Sequence, residues 1–337
     1  MKIGVIDSDG DFTHPFFKDK NINQVKVNAG YNVLSRNNFP YSHSEYVCAS
    51  ILKENPKAEI VLRSIIGKEQ KNTCKLLVDG INSMMAGDVD IINLSVGVEV
   101  LHNRDLLDVC KKAESKKIPI IAAHSNYDTI AYPANFNNVI GVYSENNKST
   151  KFIDYDCNFN NVKFNCDLTS YYQLDQVFLL RGNSFCTATM TGILSNYIGE
   201  YQESIQQGIN YLFKSPINEI DVISYKNESS ICFTDVPNSN NEIKYIKNNL
   251  NCKDIVDISD AQNYLYRNHY MDFSNTLCFI DINSYSYINK NRKCIDEFVI
   301  NVGKKFKGVV FRYPYYNVKE RMFFLENYGI KIIQFAI

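Results

Sequence analysis

Short apolar runs alternate with longer segments of helical period from the first residues to about residue 143. Ile3-Gly4-Val5-Ile6, Glu59-Ile60-Val61-Leu62, Asp90-Ile91-Ile92-Asn93-Leu94 and the runs 118–123 and 138–143 read as buried strands. Between them, a segment opening at Ser42 runs through Val47, Ile51 and Leu52. The next, over 73–85, places Leu76, Leu77, Ile81, Met84 and Met85 on one stripe, and a third helix spans about 105–117. Ser42 with Glu45 three residues on is a capping-box pattern, which starts the first helix at His43. Strand and helix in alternation imply a mostly parallel, doubly wound sheet.

From 151 to 180 the pattern changes to short alternating stretches such as Asn161-Val162-Lys163-Phe164, which read as antiparallel hairpins. They lead into Gly182-Asn183-Ser184 and a helix through Met190, Ile193, Leu194 and Ile198. After a break at 199–202 comes a bridging helix, 203–213, and a second α/β rhythm. Its strands are expected at 230–233, 254–257, 277–280, 308–311 and 331–335, and its helices at 242–250, 260–269, 292–306 and 318–328. Five strands with four crossovers imply a small Rossmann-like or flavodoxin-like sheet. It carries no Gly-x-Gly-x-x-Gly and no Walker loop, so no nucleotide site is expected. The expected domains are 1–202 and 203–337.

Composition narrows the function classes. Hydrophobic residues make up 45% of the chain, enough for sizeable cores, and the net charge of −1 comes without long charged blocks. Nucleic acid and anionic membrane are therefore not expected partners. No apolar run approaches the roughly 20 residues that span a bilayer. The ten cysteines form no C-x-x-C pair and no zinc spacing. Cys157 and Cys166 could face each other across a turn, but buried reduced thiols fit a cytoplasmic protein better.

Four chemically capable residues stand at element ends. Asp7 ends the first strand, His43 opens a helix, Asn126 follows the strand 118–123, and Ser184 opens the last long helix of the first domain. Asp, His, Ser in chain order is one of the orders of a catalytic triad. Serine attacks a carbonyl, histidine takes its proton, and a buried aspartate fixes the imidazole tautomer. The dipole at a helix start would favour the neutral imidazole that a base needs. An amide such as that of Asn126 can donate to the developing oxyanion.

The chain resembles the subtilisin-like serine proteases over about residues 1–200. The resemblance rests on Val5-Ile6-Asp7-Ser8 with His14-Pro15 downstream, Ser42-His43-Ser44-Glu45-Tyr46-Val47, Ile92-Asn93-Leu94-Ser95-Val96-Gly97, Ala122-Ala123-His124-Ser125-Asn126 with Tyr132-Pro133-Ala134, and Gly182-Asn183-Ser184-Phe185-Cys186-Thr187-Ala188 with Gly192. It implies a subtilisin-like fold and a serine endopeptidase with Asp7, His43 and Ser184 as the triad and Asn126 as oxyanion donor. It also implies that an extended peptide or protein substrate pairs with Ser95, Val96 and Gly97, and that Ala122, Ala123 and Ser125 wall the pocket before the scissile bond. His124 is expected to point off the site.

The chain departs from the pattern at Asp9, Ser44, Glu45, Asn183, Ala188 and Thr189. Asn183 stands where threonine is usual and is expected near the substrate as an auxiliary oxyanion donor. The segment 47–63 leaves no room for the family's calcium loop, so no metal and no cofactor are expected. Asp7 lies so near the first residue that the sequence has no room for the family's folding-assisting prosegment; either none is needed or the sequence starts at a processed end. The reading is a cytoplasmic protease of restricted specificity, with precursor-peptide processing as one role. The alternative is an inactive relative that keeps the fold to bind peptides.

Overall fold

The computed structural model describes residues 1–26, 42–66, 73–99, 103–127, 129–145, 153–158, 160–165, 171–173, 177–179, 182–201, 204–214, 228–235, 244, 246, 250–282, 285–311 and 316–334. They fall into two compact units, one of Met1–Tyr172 with Leu179–Asn218 and one of Gln173–Phe178 with Glu219–Ile337.

The first unit contains β1 (Lys2–Ser8), β2 (Asn21–Lys26), α1 (His43–Glu54), β3 (Glu59–Ile66), α2 (Thr73–Ala86), β4 (Ile91–Leu94), α3 (Arg104–Ser115), β5 (Ile120–Ala123), β6 (Ile140–Glu145), β7 (Ile153–Asp156) and β8 (Asn161–Asn165). Two short strands, β9 (Tyr171–Gln173) and β10 (Val177–Leu179), pair with each other, and α4 (Asn183–Tyr201) and α5 (Ile205–Lys214) follow. Eight strands form one sheet in the order β2-β3-β1-β4-β5-β6-β8-β7. All neighbours are parallel except β7, which pairs antiparallel with β8, as the alternating pattern there implies. Helices cover both faces. Leu77, Ile81 and Met84 of α2 and Leu106 and Val109 of α3 share a core with Ile6, Ile92 and Leu94. On the other face α4 packs on β4, β5 and β6, and α1 packs on β1 and α4.

Two local features hold α1 and α4 in place. Ser42 and Glu45 form the expected reciprocal capping box, so α1 begins at His43; such a cap contributes about 1 kcal/mol. Further along, the two helices touch at Gly192, where a Cβ would lie 2.6 Å from the Ile51 carbonyl oxygen and 2.9 Å from Glu54 Cβ. Asn55 Nδ2 donates to Ser195 Oγ (3.0 Å) and Asn196 Nδ2 to the Glu54 carbonyl (3.2 Å) beside that contact.

β2 is absent from the sequence expectations. Its sequence NINQVK has no apolar run, because an edge strand with exposed positions has no buried face to advertise.

The second unit contains β11 (Ser229–Thr234), β12 (Asn251–Asp257), α6 (Ala261–Arg267), β13 (Leu277–Asp281), α7 (Tyr285–Gly303), β14 (Gly308–Phe311), α8 (Val318–Tyr328) and β15 (Ile332–Gln334). Its parallel sheet runs β12-β11-β13-β14-β15, the flavodoxin-like order among the two expected. Successive strand residues go to opposite faces. Phe233, Cys278, Ile280 and Val309 meet Phe298, Val299 and Phe324 of the helices, while Cys232, Leu277, Phe279 and Val310 pack with Ile246 and Leu250. Of the expected helix 242–250, residues 244 and 246 are helical, 250 is a bend and the rest lies outside the described residues. No described helix is long and apolar enough to cross a membrane.

Candidate active site

Asp7 stands at the carboxyl end of β1, which is flanked by β3 and β4, and its side chain has no solvent exposure. The strand register shifts between Asp7 and Ser8. Ser8 N–H donates to Asp7 Oδ1 at 2.7 Å. His43, the first residue of α1, brings Nδ1 to 2.8 Å from Oδ1 and 3.0 Å from Oδ2 of the same carboxylate. A carboxylate only accepts, so Nδ1 carries the hydrogen and Nε2 is left for proton transfer. Phe185 lies beside the imidazole, with ring centroids 5.3 Å apart, and Tyr46 meets Phe185 edge-on at 6.4 Å.

Burial pushes the His43 pKa down, but the charge of Asp7 and its hydrogen bond push it up and prevail, so it lies above the ordinary imidazole value. The helix-start dipole alone would have favoured the neutral ring; a buried carboxylate at hydrogen-bond distance outweighs it. Burial also pushes the Cys48 thiol well up, and the charges of Asp7 and Glu45 push the same way, so this cysteine stays protonated.

Ser184 is the second residue of α4. Gly182, just before the helix, has φ of +133°, a conformation that L side chains rarely adopt. Ser184 Oγ donates to the Ser95 carbonyl at 3.1 Å, and Ser95 Oγ returns a bond to the Ser184 carbonyl at 3.3 Å. Ser95 Oγ also accepts from Asn93 Nδ2 at 3.0 Å, and Asn93 Oδ1 accepts from Thr191 Oγ1 at 2.9 Å. Asn93 is wholly buried, so a polar chain ties the end of β4 to the body of α4. Among the described residues, the hydrogen bonds of His43 go to Asp7 and none joins His43 to Ser184.

Asn126, just beyond β5, is exposed, and its Oδ1 accepts from the Asn183 N–H at 3.0 Å. Its Nδ2 has no acceptor among the described residues. Asn183 is buried and its amide faces the protein. Nδ2 donates to the His124 and Ser125 carbonyls (2.9 and 2.8 Å), while Oδ1 accepts from Ser144 N–H (2.7 Å). Both hydrogens expected to reach a substrate are therefore engaged in the loop.

The remaining expected residues separate. Val96 and Gly97 make no backbone hydrogen bond to described residues, while Val98 is paired with Tyr132 in both directions. Ser125 Oγ accepts from Tyr127 N–H and shares a hydrogen bond with Thr129 Oγ1, which donates its own hydrogen to Glu99. Ala122 is wholly buried in the core with Leu94 and Ala134 because the strand pleat sends it inward, and Ala123 is buried beside it in β5. His124 faces β6 and β8. It stacks on Tyr143 at 3.6 Å, and its Nε2 meets Asn161 Oδ1 at 3.0 Å. Burial holds its pKa down against that hydrogen bond.

Asn93 and Thr191 were not singled out from the sequence. Their roles depend on a contact between residues 98 positions apart, and only the Asn-x-Ser spacing hints at it.

Comparison with known proteins adds the family. Residues 1–251 match the subtilase family model, Peptidase_S8. Subtilisin E of Bacillus subtilis (strain 168) is 25% identical over 170 residues, 45% of this chain and 42% of that protein, and Subtilisin NAT of Bacillus subtilis subsp. natto gives the same figures. The chain thus spans less than half the length of these curated relatives. Among solved structures, the prenylagaramide maturation protease PagA aligns with a TM-score of 0.46 at 18% identity, covering 64% of this chain and 82% of that one. A mutant of the protease domain of PatA aligns at 0.47 and 16%, covering 61% and 84%. A cold adapted subtilisin-like serine proteinase aligns at 0.46 and 15%, covering 66% and 84%. The family match runs from the first strand into the second unit, and by it the chain belongs to the subtilase family.

Proposed function

We propose that this chain is a serine endopeptidase acting through an acyl-enzyme on Ser184. The carrying observation is the buried Asp7 with both oxygens on His43 Nδ1, in a unit that also holds Ser184 at a helix start. An extended peptide adds to the backbone at Ser95, Val96 and Gly97, where Val96 and Gly97 make no backbone hydrogen bond to described residues and the Ser95 carbonyl is released as Ser184 turns. Rotation about the Ser184 Cα–Cβ bond carries Oγ from the Ser95 carbonyl to His43 Nε2. Oγ attacks the scissile carbonyl carbon as Nε2 takes its proton, and Asp7 stabilises the imidazolium. The oxyanion accepts from the Ser184 N–H and from Asn126 Nδ2. As the C–N bond breaks, His43 returns the proton to the leaving amine. Water then releases the new carboxylate by the same route.

The domain division 1–202 and 203–337 belongs to the same proposal, with the C-terminal α/β domain restricting the substrate to a particular peptide or precursor. No disulfide joins any two of the nine described cysteines, and Cys166 lies outside the described residues; this favours a reducing, cytoplasmic setting. A fluorophosphonate probe tests the chemistry. Wild type should be labelled on Ser184 and Ser184→Ala should not; equal labelling of the two, or none of wild type, refutes the reading.

The engagement of Ser184 Oγ by Ser95 rather than by His43 favours one second reading, a peptide-binding relative without turnover. It requires that Ser184→Ala keep the full biological activity.

A further inference from the structure

The side-chain amide and the N–H of Asn183 together engage four separate groups, and both polar atoms of the amide are used. One Nδ2 hydrogen goes to the His124 carbonyl and the other to the Ser125 carbonyl. Oδ1 receives Ser144 N–H from β6, and the residue's own N–H goes to Asn126 Oδ1. The side chain is only 4% exposed, so these bonds are sheltered from competing water. A threonine, expected here from the family resemblance, has a single hydroxyl hydrogen and reaches one carbonyl at most. Asparagine is the short side chain that presents two donors and one acceptor in one plane. It thereby joins the loop after β5, the strand β6 and the first turn of α4.

We propose that Asn183 is a positioning residue that builds the oxyanion site by holding the loop 124–126 in register with Ser184. The proposal rests on the reading of Ser184 and Asn126 given above and deepens it. Two consequences follow from the bonds. The carbonyls of His124 and Ser125 are pinned from below, which fixes the backbone that carries Asn126. The Asn183 N–H occupies Asn126 Oδ1, which dictates the amide's orientation and leaves Nδ2 as the free end. Asn183 therefore acts on the reaction through Asn126 and does not donate to the oxyanion itself. A misplacement of about 1 Å in such a site can cost on the order of 100-fold in rate.

The test is a double-mutant cycle on the full chain with a peptide substrate, read as kcat and KM separately. Asn183→Ala should lower kcat on the order of 100-fold with KM nearly unchanged. In an Asn126→Ala background the same substitution should cost almost nothing more. Asn183→Thr, which retains one donor, should recover part of the loss. Full additivity of the two alanine substitutions, a loss confined to KM, or unchanged kinetics overturns the proposal. Amide hydrogen exchange supplies an arm independent of turnover. In Ser184→Ala protein, adding Asn183→Ala should speed exchange in the 121–127 peptide while peptides from α2 and α3 stay unchanged. Unchanged exchange in 121–127 overturns the proposal even if the protein hydrolyses peptides. Absent labelling of wild type by fluorophosphonate refutes the protease reading by itself, and the exchange arm still decides whether Asn183 holds the loop.

Discussion

The carboxyl edges of the two sheets start from similar material. Asp7 lies near the end of β1 and Asp281 ends β13, and neither has any solvent exposure. Each lies beside a residue of a neighbouring parallel strand that carries a hydroxyl, Ser64 for Asp7 and Thr234 for Asp281. They differ in what the helices bring. In the first unit α1 starts on an imidazole and α4 carries a hydroxyl at its second position. In the second unit the one histidine, His269, is exposed beyond the end of α6, with Nδ1 at the Tyr266 carbonyl. A further strand-end carboxylate there, Asp257, accepts from Ser259 N–H and Oγ in a local cap. A buried strand-end carboxylate is thus a product of this kind of fold. In the proposed mechanism it is the helix starts, carrying His43 and Ser184, that turn it to chemistry.

The sharpest test of that contrast substitutes each aspartate. Asp7→Asn should lower kcat by about 10⁴-fold, because an amide can settle the imidazole in the wrong tautomer. Asp281→Asn should leave kcat unchanged and register only as a lower melting temperature; comparable losses of kcat at both positions would break the comparison. Next in size, Asn126→Ala should cost about 10²–10³-fold in kcat, measured at saturating substrate. A KM effect alone would remove the oxyanion role from that residue.

The pH profile sharpens the role of Asp7. In the proposed mechanism His43 must be neutral to take a proton, and its pKa is raised, so kcat/KM should climb with pH along a limb above the ordinary imidazole value of about 6.5. In the residual activity of Asp7→Asn the limb should move to lower pH. A wild-type limb at or below the ordinary value would contradict the pairing.

The smallest effect concerns His124, whose pKa is lowered. The unfolded chain then binds its proton more readily than the folded one, so this group's stability contribution is present above about pH 6.5 and lost as pH falls. His43, with a raised pKa, works in the opposite sense. Melting temperatures at about pH 7 and pH 5 should therefore fall less on acidification in His124→Gln than in wild type. A steeper fall would contradict the assignment.

Much of this was legible in the chain. The capping box, the buried runs ending in Asp7 and Ser95, and the helix opening at Ser184 are local signals, and the structure keeps them. The start of α7 at Tyr285 rather than near Arg292 was hidden because Tyr285-Ser286-Tyr287 has weak helical preference, and tertiary context decides such segments. The amide of Asn183 was legible as a donor but not in its direction. Which carbonyls it meets depends on β5 and β6 lying side by side, and no local pattern encodes that.

One contact far from the chemistry has a mechanical meaning. His43 and Ser184 ride near the leading ends of α1 and α4, and those helices meet at Gly192. At 1.5 Å of rise per residue, that fulcrum sits about 12 Å behind Ser184. The two helices form a pair of tongs whose jaw opening is gauged at the pivot. The spacing of His43 and Ser184 is thereby set by how closely the helix pair packs at Gly192.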